Sequence, residues 1–404
     1  MNKPELLSPA GSLKKLKIAI DYGADAVYLG GKRFSLRSAS DNFTEEQMAE
    51  GIAYCHDRGK KAYVALNIVP HNRDLAPMAE AIAAYRDLSP DAFIISDPGT
   101  FMMAKEIAPE IDIHISTQGL CVNKATVDFW QKQGAKRVVL ARELSLKEIR
   151  EIYDATGAEI ETFVHGAMCI SYSGRCLLSN YMAARDGNGG ACAHPCRWKY
   201  TLIEEKRPGE AMPITEDEHG TYIFNSRDMN MIAHVPEMIE AGISSFKIEG
   251  RVKSEFYVAT VTKAYREAID ACMKGEPFNP VWEEELTKVS HRSYCTGFYF
   301  GPAQQIYETS SYIRNYELIG TVESYDAVTK IAKIRQKNRF FDGDTYEILQ
   351  PGKPYVSATV HDMKNEEGES ITVAPHPEMT VFMPIEEEVT VGAMLRKRKE
   401  GKNA

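Results

Sequence analysis

The sequence predicts an α/β fold: a TIM-like (β/α)8 barrel with a cysteine-rich insertion after strand seven, plus a small C-terminal all-β barrel domain. Through the first 250 residues, short apolar runs alternate with longer amphipathic stretches, as strands and helices do. Eight such strands over about 270 residues match the size and rhythm of a TIM barrel. After about residue 310, short strands and turn residues dominate, which favours a separate all-β domain.

Eight apolar runs are predicted as the barrel strands. Each is rich in β-branched or aromatic residues and ends in glycine or a polar residue. The runs lie at 5–11, 25–31, 61–67, 92–97, 113–118, 137–142, 160–166 and 245–250. A doubly wound open sheet is the alternative, but Gly11 stands alone in SPAGSLKK, so the usual glycine-rich dinucleotide turn is missing.

Capping residues and spacing predict the helices between these strands. Ser12 is an N-cap type of residue, and Thr44 with Gln47 three residues later has the spacing of a capping box. More than 60 residues separate strand seven from its helix at 229–242, and a last barrel helix is expected at about 252–274. Because βα loops leave a barrel at the C-terminal ends of its strands, the insertion, about 166–222, is expected at the catalytic face.

The domains are predicted to span 1–310 and 311–404. In the second, short strands are separated by turns such as FFDGD and EEGES. The chain ends in LRKRKEGKNA, which has five basic residues and one Glu. We interpret this tail as a solvated, frayed terminus, and a contact to phosphate is the functional alternative.

Composition restricts the classes of function. The net charge of −9 and a pI of about 5.7 argue against a surface coated with basic residues for nucleic acid, although a local basic patch stays open. The start MNKPELLSPAG has no apolar run of signal-peptide length, and no stretch approaches about 20 apolar residues, so we expect a cytoplasmic protein. Its eight cysteines are then expected to be free, catalytic or metal-bound.

Four cysteines form the clearest chemical pattern, with the spacing Cys169-x6-Cys176-x15-Cys192-x3-Cys196. Thiolates select zinc or iron–sulfur centres. Structural zinc sites usually have two close cysteine pairs, so the first gap of six residues favours a [4Fe–4S] cluster, with zinc as the alternative metal. His165 and His194 lie nearby and are left out of the ligand set, because a histidine beside a cysteine loop more often donates or accepts a hydrogen bond.

Polar residues at the predicted strand ends are candidates for the mouth of the barrel. They are Asn67, Asp97, Gln118, Arg142, Glu143, Glu161, His165, Lys247, Glu249 and Arg251. Arg142, Lys247, Glu249 and Arg251 are predicted to bind an anionic substrate, with arginine favoured for pairing to carboxylates. Glu161 and His165 are the candidate acid or base. For any one of them, a structural salt bridge is the alternative.

The stretch ETFVHGAMCISYSGRCLLS (161–179) resembles the signature of the U32, or collagenase-like, peptidase family. Three further stretches agree with it, in the same order as in the family. They are HISTQ with Asn123 (114–123), ARELSL (141–146) and FKIEGRVKSEFYVATVTKAYR (246–266). The C-terminal domain is similar to the small barrel of translation factors.

The resemblance implies chemistry that the family name does not. Better characterised members are oxygen-independent or prephenate-dependent hydroxylation factors with a [4Fe–4S] cluster on four cysteines. It therefore implies a ligand role for Cys169, Cys176, Cys192 and Cys196. The branch most similar to this chain hydroxylates tRNA wobble uridine to 5-hydroxyuridine, which implies tRNA and prephenate as partners.

Two other functions stay open. One is a peptidase, as the family name suggests, although four thiolates leave no open metal position and no protease motif is present. The other is a non-enzymatic accessory factor that binds RNA or protein. For RNA binding, aromatic residues are candidates to stack a base and basic residues to contact phosphates, with loop packing as the alternative. These candidates are Tyr172, Tyr181, Trp198, Tyr200, Arg185, Arg197 and Lys199.

Overall fold

A computed structural model gives the fold. It describes residues 3–36, 41–169, 171–197, 215–217, 220–222, 226–301 and 312–399. Within these ranges, every helix is too short or too polar to cross a bilayer.

Strands and helices alternate strictly through the first 167 residues. Their bounds are β1 Glu5–Pro9, α1 Leu13–Asp21, β2 Ala26–Leu29, α2 Glu45–His56, β3 Lys61–Leu66, α3 Asn72–Arg86, β4 Ala92–Ile95, α4 Pro98–Ile107, β5 Asp112–Ile115, α5 Lys124–Gln133, β6 Arg137–Val139, α6 Leu146–Thr156 and β7 Glu159–Ala167. The predicted caps are confirmed, because Ser12 accepts from the N–H of Lys15 and Thr44 forms a capping box with Gln47.

The insertion follows β7, and the chain then completes the barrel. The bounds are α7 Leu178–Ala183, β8 Thr215–Asp217, β9 Gly220–Tyr222, β10 Asp228–Asn230, α8 Val235–Glu240, β11 Ser245–Ile248, α9 Glu255–Lys274, α10 Pro280–Leu286 and β12 Tyr294–Cys295. The prediction of one helix over 229–242 is wrong at its start. There β10 pairs antiparallel with the C-terminal end of β7, residues 165–167, and this pairing keeps residues 228–230 extended.

Eight parallel strands close into a barrel. Strands β1 to β7 lie side by side in chain order, and β11 pairs with both β1 and β7. These eight strands coincide with the eight predicted runs, so the TIM-like barrel is confirmed and the open sheet is excluded.

The interior of the barrel holds both apolar and charged side chains. An inner apolar cluster consists of Leu7, Ala26, Tyr28, Tyr63, Ala65, Ala92 and Ile94. A larger cluster lies between the strands and the surrounding helices. Buried beside the inner cluster are the charged residues Arg137, Glu161 and Lys247. The charged groups therefore need partners inside the barrel.

The C-terminal region forms an antiparallel sheet with its own apolar core. Its strands are β13 Tyr316–Asp326, β14 Ile331–Gln336, β15 Phe340–Phe341, β16 Thr345–Leu349, β17 Val356–Thr359, β18 Val373–Ala374, β19 Thr380–Pro384 and β20 Met394–Arg398. Six of them pair in the order β17-β16-β20-β13-β14-β19, and β15 pairs with β18. An all-β C-terminal domain is thereby confirmed.

The basic tail is not frayed where it forms β20. This strand lies between β13 and β16, and Arg396 is fully buried in ion pairs with Glu285 of α10 and Glu347 of β16. The expectation of a solvated terminus is wrong for 395–398, because carboxylates far away in sequence pair with the side chain of Arg396. Residues 400–404 lie outside the described part of the chain.

Candidate active site at the mouth of the barrel

A cavity of about 240 Å³ opens at the C-terminal ends of the barrel strands. Barrel residues form one side of it and the insertion forms the other. From the barrel it receives the apolar side chains of Tyr28, Ala65, Ile94 and Phe163 and the polar ones of Asn67, Ser116 and Gln118. This is where βα loops place the active site in barrel enzymes. The insertion therefore lies over the catalytic face, as predicted.

All four clustered cysteines line this cavity. Cys169 is exposed, and Cys176, Cys192 and Cys196 are partly buried. None of the eight cysteines is in a disulfide, and the other four are absent from the cavity wall. The fold thus gathers the four thiols of the predicted ligand set around one space.

Zinc and a [4Fe–4S] cluster are the two candidate metal groups for the four thiols. Among the residues that the structure describes, no group of three or more Cys, His, Asp or Glu is arranged to hold a single metal ion. A zinc site needs its ligands within about 2.3 Å of one centre. A four-iron cubane instead presents a separate iron to each thiolate, so its ligands need not converge on one point. Four thiols around one cavity are a donor set that fits a [4Fe–4S] cluster, with zinc as the alternative.

Hydrogen bonds from three loops of the barrel mouth tie the insertion to it. The carboxylate of Glu143, after β6, accepts the backbone N–H of Ser173 at 2.6 Å. Arg175 Nε donates to the carbonyl of Gln118, after β5, at 3.0 Å. After β3, the N–H of Val69 donates to the carbonyl of Asn188 at 3.2 Å. The insertion is therefore anchored to the loops that follow β3, β5 and β6.

Basic side chains dominate the charge of the cavity wall. Among the described lining residues, four are basic (Arg142, Lys247, Arg251 and Lys253) and one, Glu249, is acidic. Such a wall favours a ligand with negative charges.

The arginines of this wall are held in fixed positions. The guanidinium of Arg142 lies 3.9 Å from the ring centroid of Phe163 and 3.6 Å from Glu249. That of Arg251 donates to Ser35 at 2.5 Å and to Asn42 at 2.6 Å. Fixed guanidinium groups suit the recognition of a carboxylate.

Glu161 does not lie at the mouth, which corrects the sequence expectation. Strand β7 begins at Glu159, so Glu161 is near its N-terminal end, fully buried inside the barrel. It accepts from Lys247 at 2.8 Å and from Arg137 at 3.1 Å. Burial alone would raise the pKa of Glu161, but these two cations hold it at about 2. Glu161 is therefore an ionised partner of Lys247, an arrangement that does not favour an acid or base role.

His165 also lies away from the cavity, on the outer side of β7. The strand register shifts here, because Phe163 pairs with Lys247 while His165 pairs with the next residue, Ile248. This irregularity reverses the alternation that would have turned His165 inward.

The surroundings of His165 are aromatic. Its ring centroid lies 6.0, 5.5 and 5.4 Å from those of Tyr257, Tyr265 and Tyr294. Burial, with Lys253 and His291 nearby, lowers the pKa of His165 to about 3. The imidazole is therefore neutral at pH 7 and does not contribute to the cavity wall.

The other predicted residues divide into two groups. Asn67 and Gln118 line the cavity, in addition to the four charged residues predicted to bind substrate. Asp97 instead caps α4 by accepting the N–H of Thr100, and Glu143 binds the insertion.

Sequence reasoning missed Tyr28, Phe163 and Ser173 as wall residues. The alternating positions of the predicted strands contained the signal for the first two.

The residues proposed to contact RNA are only partly described. Tyr172 is 54% exposed on the insertion, and Arg185 is also exposed. Trp198, Lys199 and Tyr200, and the side chains of Tyr181 and Arg197, lie outside the described residues. Tyr172 and Arg185 are accessible to a partner, and their contact with RNA stays a prediction.

Two family models match the chain. The one described as peptidase family U32 covers residues 11–309, and the one described as the peptidase family U32 C-terminal domain covers residues 314–396. The matches therefore cover both the barrel with its insertion and the antiparallel sheet.

Curated relatives are similar over nearly the full length. A protein of Bacillus subtilis named tRNA hydroxylation protein P1 is 41% identical, covering 98% of this chain and 95% of the relative. One of Escherichia coli named tRNA hydroxylation protein P is 40% identical, covering 98% and 97%. One of Methanocaldococcus jannaschii, named as an uncharacterized protease, is 41% identical, covering 89% and 90%.

Proposed function

This chain belongs to peptidase family U32, and we propose that within the family it acts as a tRNA hydroxylase. The relatives named for tRNA hydroxylation support this reaction class. We further propose that it converts the wobble uridine of tRNA to 5-hydroxyuridine, independently of oxygen, with prephenate as the source of the hydroxyl group. Replacing C5–H by C5–OH releases a proton and two electrons from the base, so the reaction also requires an electron acceptor. An enzyme of this kind works in the cytoplasm.

One observation carries the proposal: the four clustered thiols and four basic side chains line the same cavity. Prephenate is a dicarboxylate, and the guanidinium groups of Arg142 and Arg251 are suited to bind its carboxylates. The rings of Tyr28 and Phe163 supply apolar surface for its carbon ring. A small dianion is therefore a better match for this wall than a neutral peptide.

The thiolates of Cys169, Cys176, Cys192 and Cys196 would hold a [4Fe–4S] cluster. When bound, the cluster supplies electron transfer or a site for an oxygen-bearing ligand. The chain's own residues fix the surrounding charges. Glu249 pairs with Arg142, while Glu161 pairs with Lys247 at the wall.

A peptidase is the weaker alternative, favoured by the name of one relative. In the part of the chain that the structure describes, neither Glu161 nor His165 lines the cavity. The side chains predicted as acid or base are therefore engaged elsewhere.

An accessory factor without activity is the other alternative. It would leave the modification of tRNA unchanged in a strain that lacks the protein.

The proposal is tested with protein purified without oxygen. It should be brown and contain about four irons per chain. With tRNA that carries an unmodified wobble uridine and an added electron acceptor, it should form 5-hydroxyuridine only when prephenate is also added, as measured by nucleoside mass spectrometry. Colourless protein with one tightly held zinc would contradict the cluster. Product formation that ignores prephenate would contradict the hydroxyl source.

A further inference from the structure

The proposed reaction gives no role to Glu143, yet this residue makes the shortest contacts of the insertion with the barrel mouth. Its carboxylate accepts two hydrogen bonds from Ser173, one from the backbone N–H at 2.6 Å and one from Oγ at 2.5 Å. Ser173 lies four residues after Cys169 and three before Cys176. One carboxylate of the barrel therefore holds the segment between the first two cysteines.

Ser173 has a backbone conformation that is uncommon for serine. Its φ of 43° and ψ of 36° lie in the left-handed region, which favours glycine. Its side chain is 1% exposed, and Oγ also accepts the N–H of Arg142 at 3.3 Å. A buried serine in this conformation indicates that the hydroxyl is required, because glycine would relieve the backbone strain.

Arg175 and Val69 anchor the insertion by fewer bonds. Arg175 and Val69 each form a single hydrogen bond that involves a backbone carbonyl. Glu143 accepts two bonds from Ser173 on a charged carboxylate, and charge-assisted hydrogen bonds are about twice as strong as neutral ones. Among the described contacts of the segment from Cys169 to Cys176, Glu143 is therefore the acceptor that holds it by two charge-assisted bonds at once.

We propose that Glu143 is a positioning residue for the metal-binding thiols. By holding Ser173, it fixes Cys169 and Cys176 at the cavity wall before any metal binds. Its neighbour Arg142 lines the same cavity, so the end of β6 sets both a thiol pair and an anion-binding group. This role concerns only the positions of the thiols, so it does not depend on which reaction the protein catalyses.

The test uses full-length, metal-free protein and the thiol reagent iodoacetamide, with alkylation at each cysteine followed by mass spectrometry. Glu143→Ala should raise the rate at the half-buried Cys176 about tenfold, because two charge-assisted bonds are lost. Ser173→Gly keeps the backbone N–H bond to Glu143 but loses the hydroxyl, so it should raise the rate above wild type by less than Glu143→Ala does. Glu143→Gln keeps one acceptor and should restore part of the protection.

A matched control exists on the following helix. Glu148 also accepts a serine N–H and Oγ, from Ser145 at 2.8 and 2.7 Å, but within the capping box of α6. Glu148→Ala should leave the rate at Cys176 unchanged. In every variant the rate at Cys272, on α9, should stay at the wild-type value.

Iron retention gives a second readout. In reconstituted protein, Glu143→Ala should release iron to a chelator about tenfold faster than wild type. A wild-type alkylation rate at Cys176 in Glu143→Ala and Ser173→Gly would overturn the positioning role. An equal rise at Cys272 would also overturn it, because it would show general unfolding. If the protein takes up no iron, the cluster is wrong but the alkylation result still decides the role of Glu143.

Discussion

Lys247 and Glu161 form an ion pair 2.8 Å long inside the barrel, with both side chains at most 5% exposed. Lys247 also lies 4.5 Å from the ring centroid of Tyr28 and lines the cavity, whereas Glu161 does not. Arg137 contacts the same carboxylate at 3.1 Å from the other side. The barrel interior thus carries charge up to the wall of the candidate active site.

Removing one partner of this pair should be strongly destabilising. Glu161→Gln leaves two buried cations facing a neutral amide, and we expect the free energy of unfolding to fall by about 3–5 kcal/mol. Urea denaturation at pH 7 measures it. The control Asp128→Asn removes an exposed pair with Lys132 and should change stability by about 0.5 kcal/mol or less. Equal effects of the two substitutions would show that the buried pair is not important for stability.

The same carboxylate gives a pH dependence. Its pKa is about 2 in the folded protein against an ordinary 4.5, so its contribution is complete above pH 4.5 and is lost as the pH falls toward 2. The difference in stability between wild type and Glu161→Gln should therefore shrink over this window. A difference that stays constant down to pH 2.5 would contradict the assignment.

His165 should affect acid stability rather than the pH profile of catalysis. The folded protein keeps it neutral down to about pH 3, while the unfolded chain takes up a proton below its ordinary 6.5. Stability therefore falls with acid between these values. His165→Leu should flatten the change in urea midpoint between pH 7.5 and 4.5. The control His361→Gln, at an exposed site, should keep the wild-type change in urea midpoint between these two pH values. A change in His165→Leu as large as in wild type would contradict the assignment of His165 as a buried, neutral imidazole.

Arg142 should set the affinity for the anionic co-substrate. Arg142→Met removes a guanidinium fixed beside Glu249 and Phe163, and the KM for prephenate should rise about tenfold or more. Arg142→Lys should recover only part of it, because lysine lacks the planar pair of donors. Arg150→Met, on the exposed side of α6, is the control and should leave KM unchanged. An unchanged KM in Arg142→Met would remove Arg142 from the binding site.

Arg396 strengthens the contact between the barrel and the C-terminal sheet. Glu285 and Glu347 share two cations, Arg396 and Lys288, and Arg396→Met removes the fully buried one, so the free energy of unfolding should fall by about 3 kcal/mol. Arg398 lies on the same strand but is exposed, so Arg398→Met should have little effect. Calorimetry of the full chain distinguishes them, and similar unfolding temperatures for the two variants would count against this contact.

The barrel was predictable because each strand is an apolar run that local pattern alone reveals. The position of the cysteines was predictable too, since an insertion after a barrel strand must leave from the C-terminal face. Local pattern did not reveal which way His165 points, because the register shift beside Phe163 depends on pairing with β11. Nor did it reveal β20, where Arg396 is buried only because Glu285 and Glu347 come together in the fold.

The most direct test of the central claim is nucleoside mass spectrometry of tRNA from a strain that lacks this protein. Complementation with wild type, or with Cys272→Ser at a half-buried site outside the cavity, should restore 5-hydroxyuridine and its derivatives. Cys176→Ser should not restore them, although the protein is made at the wild-type level. Full modification in the deletion strain, or full restoration by Cys176→Ser, would contradict hydroxylation of tRNA at the cysteine-lined cavity.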